Sequence, residues 1–231
     1  MDTITPDSTV AEIVTQFPST AALFDELGID FCCGGDLPLL KAAGQRALDA
    51  ETIIATLSAL DAVQGDTAGA HDVKDLDNDE LIDHIVDVHH AGVRKQIPMI
   101  QDLLETVVRV HHDDASLPPL RDRFDELAAE LIAHMKVEEE RLFPFCRRFD
   151  SDLAPEVDQE LLGELVHEHE DVGRALVDLR RMAGDYDLER AHCNTHRFLL
   201  QSMMEFEEDM HVHVHEENNV LFARTRATAV R

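Results

Sequence analysis

Two stretches of this chain place an imidazole and a carboxylate one helical turn apart. They are His134-Met-Lys-Val-Glu138-Glu-Glu-Arg-Leu142-Phe143 and His213-Val-His-Glu-Glu217-Asn-Asn-Val-Leu221-Phe222, and both read H-x3-E-x3-L-F. Positions i and i+4 stack on one face of a helix, so each stretch aims a nitrogen and an oxygen donor in the same direction. A neutral imidazole beside a carboxylate suits a transition-metal ion better than it suits packing.

These residues sit where apolar side chains are expected. Leu120, Phe124, Leu127 and Leu131 lead into His134, Glu138, Leu142 and Phe145 at steps of three and four. Leu199, Met203, Phe206 and Met210 lead into His213, Glu217 and Val220, and His169 falls between Leu165 and Val172. Either His89 or His90 fits between Val86 and Val93 in an earlier stripe. An unpaired carboxylate in such a stripe costs on the order of several kcal/mol, and no basic residue shares the stripes to neutralise it. Two carboxylates and four imidazoles converging inside a bundle make a nest for two metal ions. Spacing selects His90: His90 to His169, His134 to His213 and Glu138 to Glu217 are each 79 residues. One helix hairpin therefore occurs twice, each copy with a lone histidine and an H-x3-E.

Four nitrogens and two carboxylates without thiolate suit iron, manganese or zinc, and bridging carboxylates on bundle helices favour two iron ions. With each carboxylate bridging and an oxo or hydroxo bridge added, each ion has about five contacts, which leaves one octahedral position open. His211 and His215 lie about 200° around the helix from His213 and are expected to face away. His84, His111, His112, His167, His192 and His196 are expected at the surface or behind the ligands. Glu139, Glu140 and Glu216 are expected on a solvated face, from which any of them could orient a ligand histidine.

Positioning these side chains calls for an all-α fold: a small N-terminal helical domain, then an antiparallel four-helix bundle. The expected boundaries are 1–62 for the first domain, 63–76 for a small, polar linker, and 77–231 for the bundle. Thr9-Val-Ala-Glu12 and Asp77-Asn-Asp-Glu80 are capping signals. Pro98 is expected to kink the first bundle helix, and Pro118-Pro119 to start the second. In the N-terminal domain, Asp30-Phe31-Cys32-Cys33-Gly34-Gly35 reads as a loop whose glycines allow positive φ and close backbone approach.

Composition narrows the class. The 231 residues carry 48 acidic against 20 basic side chains, a formal charge of −28, which argues against binding a nucleic-acid backbone. No apolar run approaches the roughly 18 residues of a membrane span. There is no secretory signal pattern at the N-terminus, and four cysteines, two of them adjacent, make no disulfide framework, so a reducing cytoplasm is expected. Cys146 and Cys193 stand alone and read as structural.

The chain resembles the hemerythrin-like di-iron proteins that repair iron–sulfur clusters, known as RIC or YtfE/ScdA proteins. The resemblance rests on Asp30-Phe31-Cys32-Cys33-Gly34-Gly35, on Asp83-His84-Ile85 with His90, and on His134-x3-Glu138-x3-Leu-Phe-Pro144. His169 and His213-x3-Glu217-Asn218-Asn219-Val-Leu-Phe222 complete it. It implies iron ligation by His90, His134, Glu138, His169, His213 and Glu217. It also implies a role in restoring clusters damaged by nitric oxide or peroxide, with the damaged iron–sulfur proteins and a small diatomic ligand as partners and a homodimer allowed. Ala223, where the family often has Pro, and His89, in place of a usual aromatic, depart from its pattern. Oxygen-carrying hemerythrins have a further histidine where Gly173 stands and end on His-x4-Asp, so oxygen storage fits less well. Cys32 and Cys33 are a candidate redox or transfer pair, since a glycine-flanked loop leaves thiolates accessible. The alternatives are nitric oxide reduction at the same centre and sensing of oxygen or nitric oxide.

Overall fold

The structure, a computed structural model, describes residues 4–64, 73–147 and 158–228. Among these the regular elements are helices, and the extended pairing is a single bridge, Thr9 with Pro38. Most of the expected linker at 63–76 lies outside the described residues; Val73–Asp75 at its end forms a 3-10 turn. The chain divides into two compact units, residues 82–210 and residues 1–81 with 211–231.

The first unit holds α1 (Val10–Gln16), α2 (Ala21–Glu26), α3 (Leu39–Gln45) and α4 (Ala50–Gln64). Thr9 and Glu12 close the expected capping box on α1, each side chain taking the other's backbone N–H. Asp49 accepts from Thr52 N–H at 2.9 Å at the start of α4. Val10, Ile13, Phe24, Phe31 and Leu39 form its core. The unit also takes most of α5 (Asn78–His84), whose Asp77 and Glu80 exchange the same reciprocal cap bonds.

The second unit contains α6 (Ala91–Val110), α7 (Leu117–Val137), the short α8 (Phe143–Cys146), α9 (Gln159–Met182) and α10 (Asn194–His215) as far as Met210. Phe124 of α7 meets Phe206 of α10 edge to face at 5.7 Å between centroids. Gln96 of α6 donates to Asp209 of α10 at 2.8 Å, and Gln101 of α6 to Asp125 of α7 at 2.8 Å. The core between these four helices is Leu, Ile, Val, Met and Phe, as their stripes require. Pro98 lies within α6, which continues through it to Val110. After α10 the described residues close with α11 (Phe222–Thr228), in the first unit. No helix among the described residues is long and apolar enough to cross a membrane.

Among the described residues, Ile85–His90, Glu138–Leu142 and Glu216–Leu221 are π turns. A π turn inserts one residue and shifts the inward register. Ile85 and His90, five apart, are therefore both buried, while Val86, expected in the stripe, is only half-buried. After the second π turn the buried positions are Phe143 and Cys146, and the expected Phe145 is half-buried.

Candidate metal centre

Four of the sequence-derived donors come together in the second unit. His90 closes the first π turn, His134 lies in the last turn of α7, Glu138 opens the second π turn, and His169 lies mid-way along α9. All four are buried, His90 and Glu138 completely. Glu138 is the hub. Its Oε2 is 3.4 Å from His90 Nε2, and its Oε1 is 3.3 Å from His134 Nε2 and 3.7 Å from His169 Nε2. His134 Nε2 and His169 Nε2 are 2.9 Å apart. His90 also stacks on Phe143, with ring centroids 5.6 Å apart.

Outer carboxylates set the protons on two of these rings. Glu168 Oε2 accepts from His134 Nδ1 at 2.7 Å, and Glu139 Oε1 accepts from His90 Nδ1 at 2.7 Å. A carboxylate can only accept when ionised, so the proton sits on Nδ1 and each Nε2 turns a lone pair toward Glu138. Burial works against the charge on Glu139, but His90 and Arg94, the latter donating at 2.7 Å, together hold its carboxyl below the usual range. Lone pairs converging on a carboxylate repel one another, and a cation reverses the sign of that interaction. An ion about 2.1 Å from each donor separates neighbouring donors by about 3.0–3.4 Å, close to the spacings observed. The residues fit a metal.

Sequence reasoning did not single out Glu168, and Glu139 entered only among three glutamates of a solvated face. Their partners lie on other helical segments, 34 and 49 residues away. Glu140 is exposed as expected, whereas Glu216 is buried.

His213 and Glu217 lie in the first unit, both buried, with His213 Nε2 3.0 Å from Glu217 Oε1. The same helical segment holds the cysteine loop. Asn219 Nδ2 donates to the carbonyls of Cys32 at 3.0 Å and Phe31 at 3.2 Å, and Asn218 donates to Cys32 at 3.4 Å. His215, expected to face away, does leave the face of His213 but is buried: its Nδ1 is 3.2 Å from Phe31 O and its Nε2 3.1 Å from Thr15 Oγ1. Burial holds its pKa below the ordinary histidine value. His211 pairs with Asp25 at 2.6 Å.

The loop itself departs from expectation in two ways. Among the described glycines, positive φ belongs to Gly28 and Gly184, not to Gly34 or Gly35. Gly35 is needed for close approach: a Cβ there would lie 2.5 Å from Phe31 O and 2.7 Å from Ala11 Cβ. Cys32 is buried, and Cys33 is half-buried. Asp30 Oδ1 accepts from the backbone N–H of Cys32 at 3.1 Å and of Cys33 at 2.9 Å. The hydrogen bond to Cys33, with sulfurs 3.8 Å apart, and then burial push the Cys32 thiol well above its usual pKa. Cys32 is thus a thiol at neutral pH, not the accessible thiolate expected from its flanking glycines.

Comparison with known proteins brings the two units under one description. A family described as a domain of unknown function, DUF542 (ScdA_N), matches residues 6–61, and the hemerythrin HHE cation-binding domain matches residues 81–225. The chain is 32% identical over 220 residues to the iron-sulfur cluster repair protein ScdA of Staphylococcus haemolyticus, covering 95% of this chain and 98% of that one. It is 34% identical over 219 residues to the iron-sulfur cluster repair protein YtfE of Dickeya chrysanthemi, covering 94% and 96%. The chain belongs to the ScdA/YtfE family. The ScdA_N segment takes in Cys32 and Cys33, and the hemerythrin segment takes in all six donors that the stripes and the 79-residue repeat select. The hemerythrin HHE domain that matches this ScdA/YtfE chain is described as cation-binding, and the imidazoles around Glu138 are donors suited to a cation.

Proposed function

We propose that this chain is an iron–sulfur cluster repair factor whose bundle holds two iron ions between His90, His134, Glu138, His169, His213 and Glu217. The observation that carries this reading is the Glu138 carboxylate ringed by three buried imidazoles, two of them with lone pairs held inward by Glu139 and Glu168. The His213–Glu217 pair repeats that chemistry 79 residues on and would offer a second carboxylate to the metal. Bound iron would supply a redox-active, Lewis-acidic centre able to take a small diatomic ligand such as nitric oxide or to yield labile iron.

The chain's own residues do the rest. Glu139 and Glu168 keep the histidine protons on Nδ1. Gly173, one turn after His169, has no side-chain donor to offer, so it would leave room for an incoming molecule. Asn218 and Asn219 tie the Cys32–Cys33 loop to the helix that carries His213 and Glu217, so movement of one is felt by the other. Cys33, the more exposed thiol, is the better placed of the pair to meet a damaged iron–sulfur protein in the cytoplasm.

The test combines metal analysis with rescue of a nitric-oxide-damaged [4Fe–4S] enzyme. About two irons per chain and recovery of client activity are expected. A metal content far from two irons refutes the centre, and failure to rescue with full iron refutes repair. Anaerobic nitric oxide addition should give stoichiometric nitrosyl formation; catalytic release of nitrous oxide would favour a reductase instead. Replacing both Cys32 and Cys33 with serine should abolish repair at unchanged iron content.

A further inference from the structure

The two carboxylates behind the donors of the second unit are not equivalent. Glu139 Oε1 accepts two charge-assisted hydrogen bonds at one atom, from His90 Nδ1 at 2.7 Å and from Arg94 Nη2 at 2.7 Å. Glu168 Oε2 accepts from His134 Nδ1 at 2.7 Å, and among the described residues no lysine or arginine pairs with it. Water around Glu168, whose side chain is 53% exposed, hydrates that carboxylate without neutralising it. The inequality reaches the centre because Glu138 is divided between the two branches. Its Oε2 faces His90 at 3.4 Å, and its Oε1 faces His134 at 3.3 Å and His169 at 3.7 Å. The Oε2 side is therefore backed by Glu139 and Arg94, and the Oε1 side by Glu168.

Charge decides how the branches differ. A carboxylate that accepts the Nδ1 proton pushes electron density through the ring and makes Nε2 the stronger donor. A guanidinium on the same oxygen draws that density back, and it stays cationic at any working pH. It also places a positive charge behind His90, which repels a metal ion, and repels the oxidised ion more than the reduced one. Both effects have the same sign, so they add. Arg94 is 41% exposed, so water and salt screen part of its charge and keep the effect moderate.

We propose that Arg94 is a positioning residue that makes the two irons of the centre unequal, so that the iron on the His90 side is held less firmly and leaves first. The inference rests on the iron-centre reading above and deepens it. Iron supply would draw on one defined position, while the side of His134 and His169 keeps its ion. Arg94 touches none of the donors and acts through Glu139.

The test follows iron leaving the iron-loaded full chain into an excess of a coloured chelator. The wild type should lose iron in two steps of equal amplitude, the faster about tenfold ahead of the slower. Arg94→Gln keeps a hydrogen-bond donor beside Glu139 but removes the charge. It should slow the fast step about tenfold and leave the slow step unchanged. Arg94→Lys keeps the charge and should restore the fast step. The higher of the two one-electron potentials should fall in Arg94→Gln and return in Arg94→Lys, a pattern that loss of packing alone does not produce. Release of both irons at one rate from the wild type overturns the proposal and leaves the iron centre standing. So does a fast step that Arg94→Gln speeds or leaves unchanged, or an Arg94→Gln chain that loads less iron than the wild type. A wild-type chain that holds no iron overturns the centre and this inference together.

Discussion

Replacing Glu138 with leucine should stabilise the metal-free protein and abolish its response to metal. Glu138 is completely buried, with His90, His134 and His169 at 3.3–3.7 Å. Without an ion the carboxylate is held out of water at a desolvation cost on the order of several kcal/mol. A leucine of similar volume removes that desolvation cost, and the expected gain is about 2 kcal/mol, a part of the several kcal/mol that burying one ion costs. For a chain of 231 residues each kcal/mol moves the melting temperature by about 2–4 °C, so a rise of about 4–8 °C is the central expectation. Iron or zinc at 100 times its dissociation constant should add about 2.7 kcal/mol to the wild type and little to the variant. The order of the two melting temperatures then inverts on adding metal. Calorimetry of chelator-treated and metal-loaded samples at pH 8 reads this directly. If the leucine variant melts lower than the wild type without metal, or gains as much from metal, Glu138 is not the hub of a cation site.

Three further expectations follow from named contacts. Glu168→Ala removes the carboxylate that fixes the His134 proton and should weaken metal retention about 10- to 100-fold, read by dialysis against a graded chelator; unchanged retention would show that His134 is oriented by packing alone. Because the Cys32 thiol is pushed up, it is protonated at neutral pH and should alkylate only as pH rises past the ordinary thiol range, with Cys33 reacting first; mass spectrometry giving the opposite order would contradict the arrangement. Gly35→Ala drives a Cβ into Phe31 O and should cost about 1–3 kcal/mol, whereas Gly163→Ala in α9 meets nothing within 4 Å and should add about 0.5–1 kcal/mol. Denaturant melts that fail to separate the two glycines would refute the close-approach reading.

Much of the fold was legible because it is written locally. The Thr9–Glu12 and Asp77–Glu80 boxes form as their side chains dictate, and the leucine stripes of α7, α9 and α10 are buried where their periodicity puts them. The ambiguity between His89 and His90 has a physical source. A π turn at Ile85–His90 breaks the 3.6-residue period there, so a periodic reading drifts by one residue, and only the 79-residue repeat recovers His90. The same slip moves the buried position from Phe145 to Phe143 and Cys146. Glu139, Glu168, Asn219 and His215 carried no local signal for their roles, since each acts on a segment remote in sequence.

The sequence by itself determined which residues share a face, because helical periodicity depends only on near neighbours. That was enough to select His90, His134, Glu138, His169, His213 and Glu217 as candidate donors and to require four long helices. The tertiary structure decided what lies behind those donors: carboxylates that set histidine protons, π turns that set register, and a cysteine loop held by Asn218 and Asn219. Such features depend on which helices pack together and on small departures from ideal helix geometry, and neither is encoded in the spacing of residues along a single strand of chain.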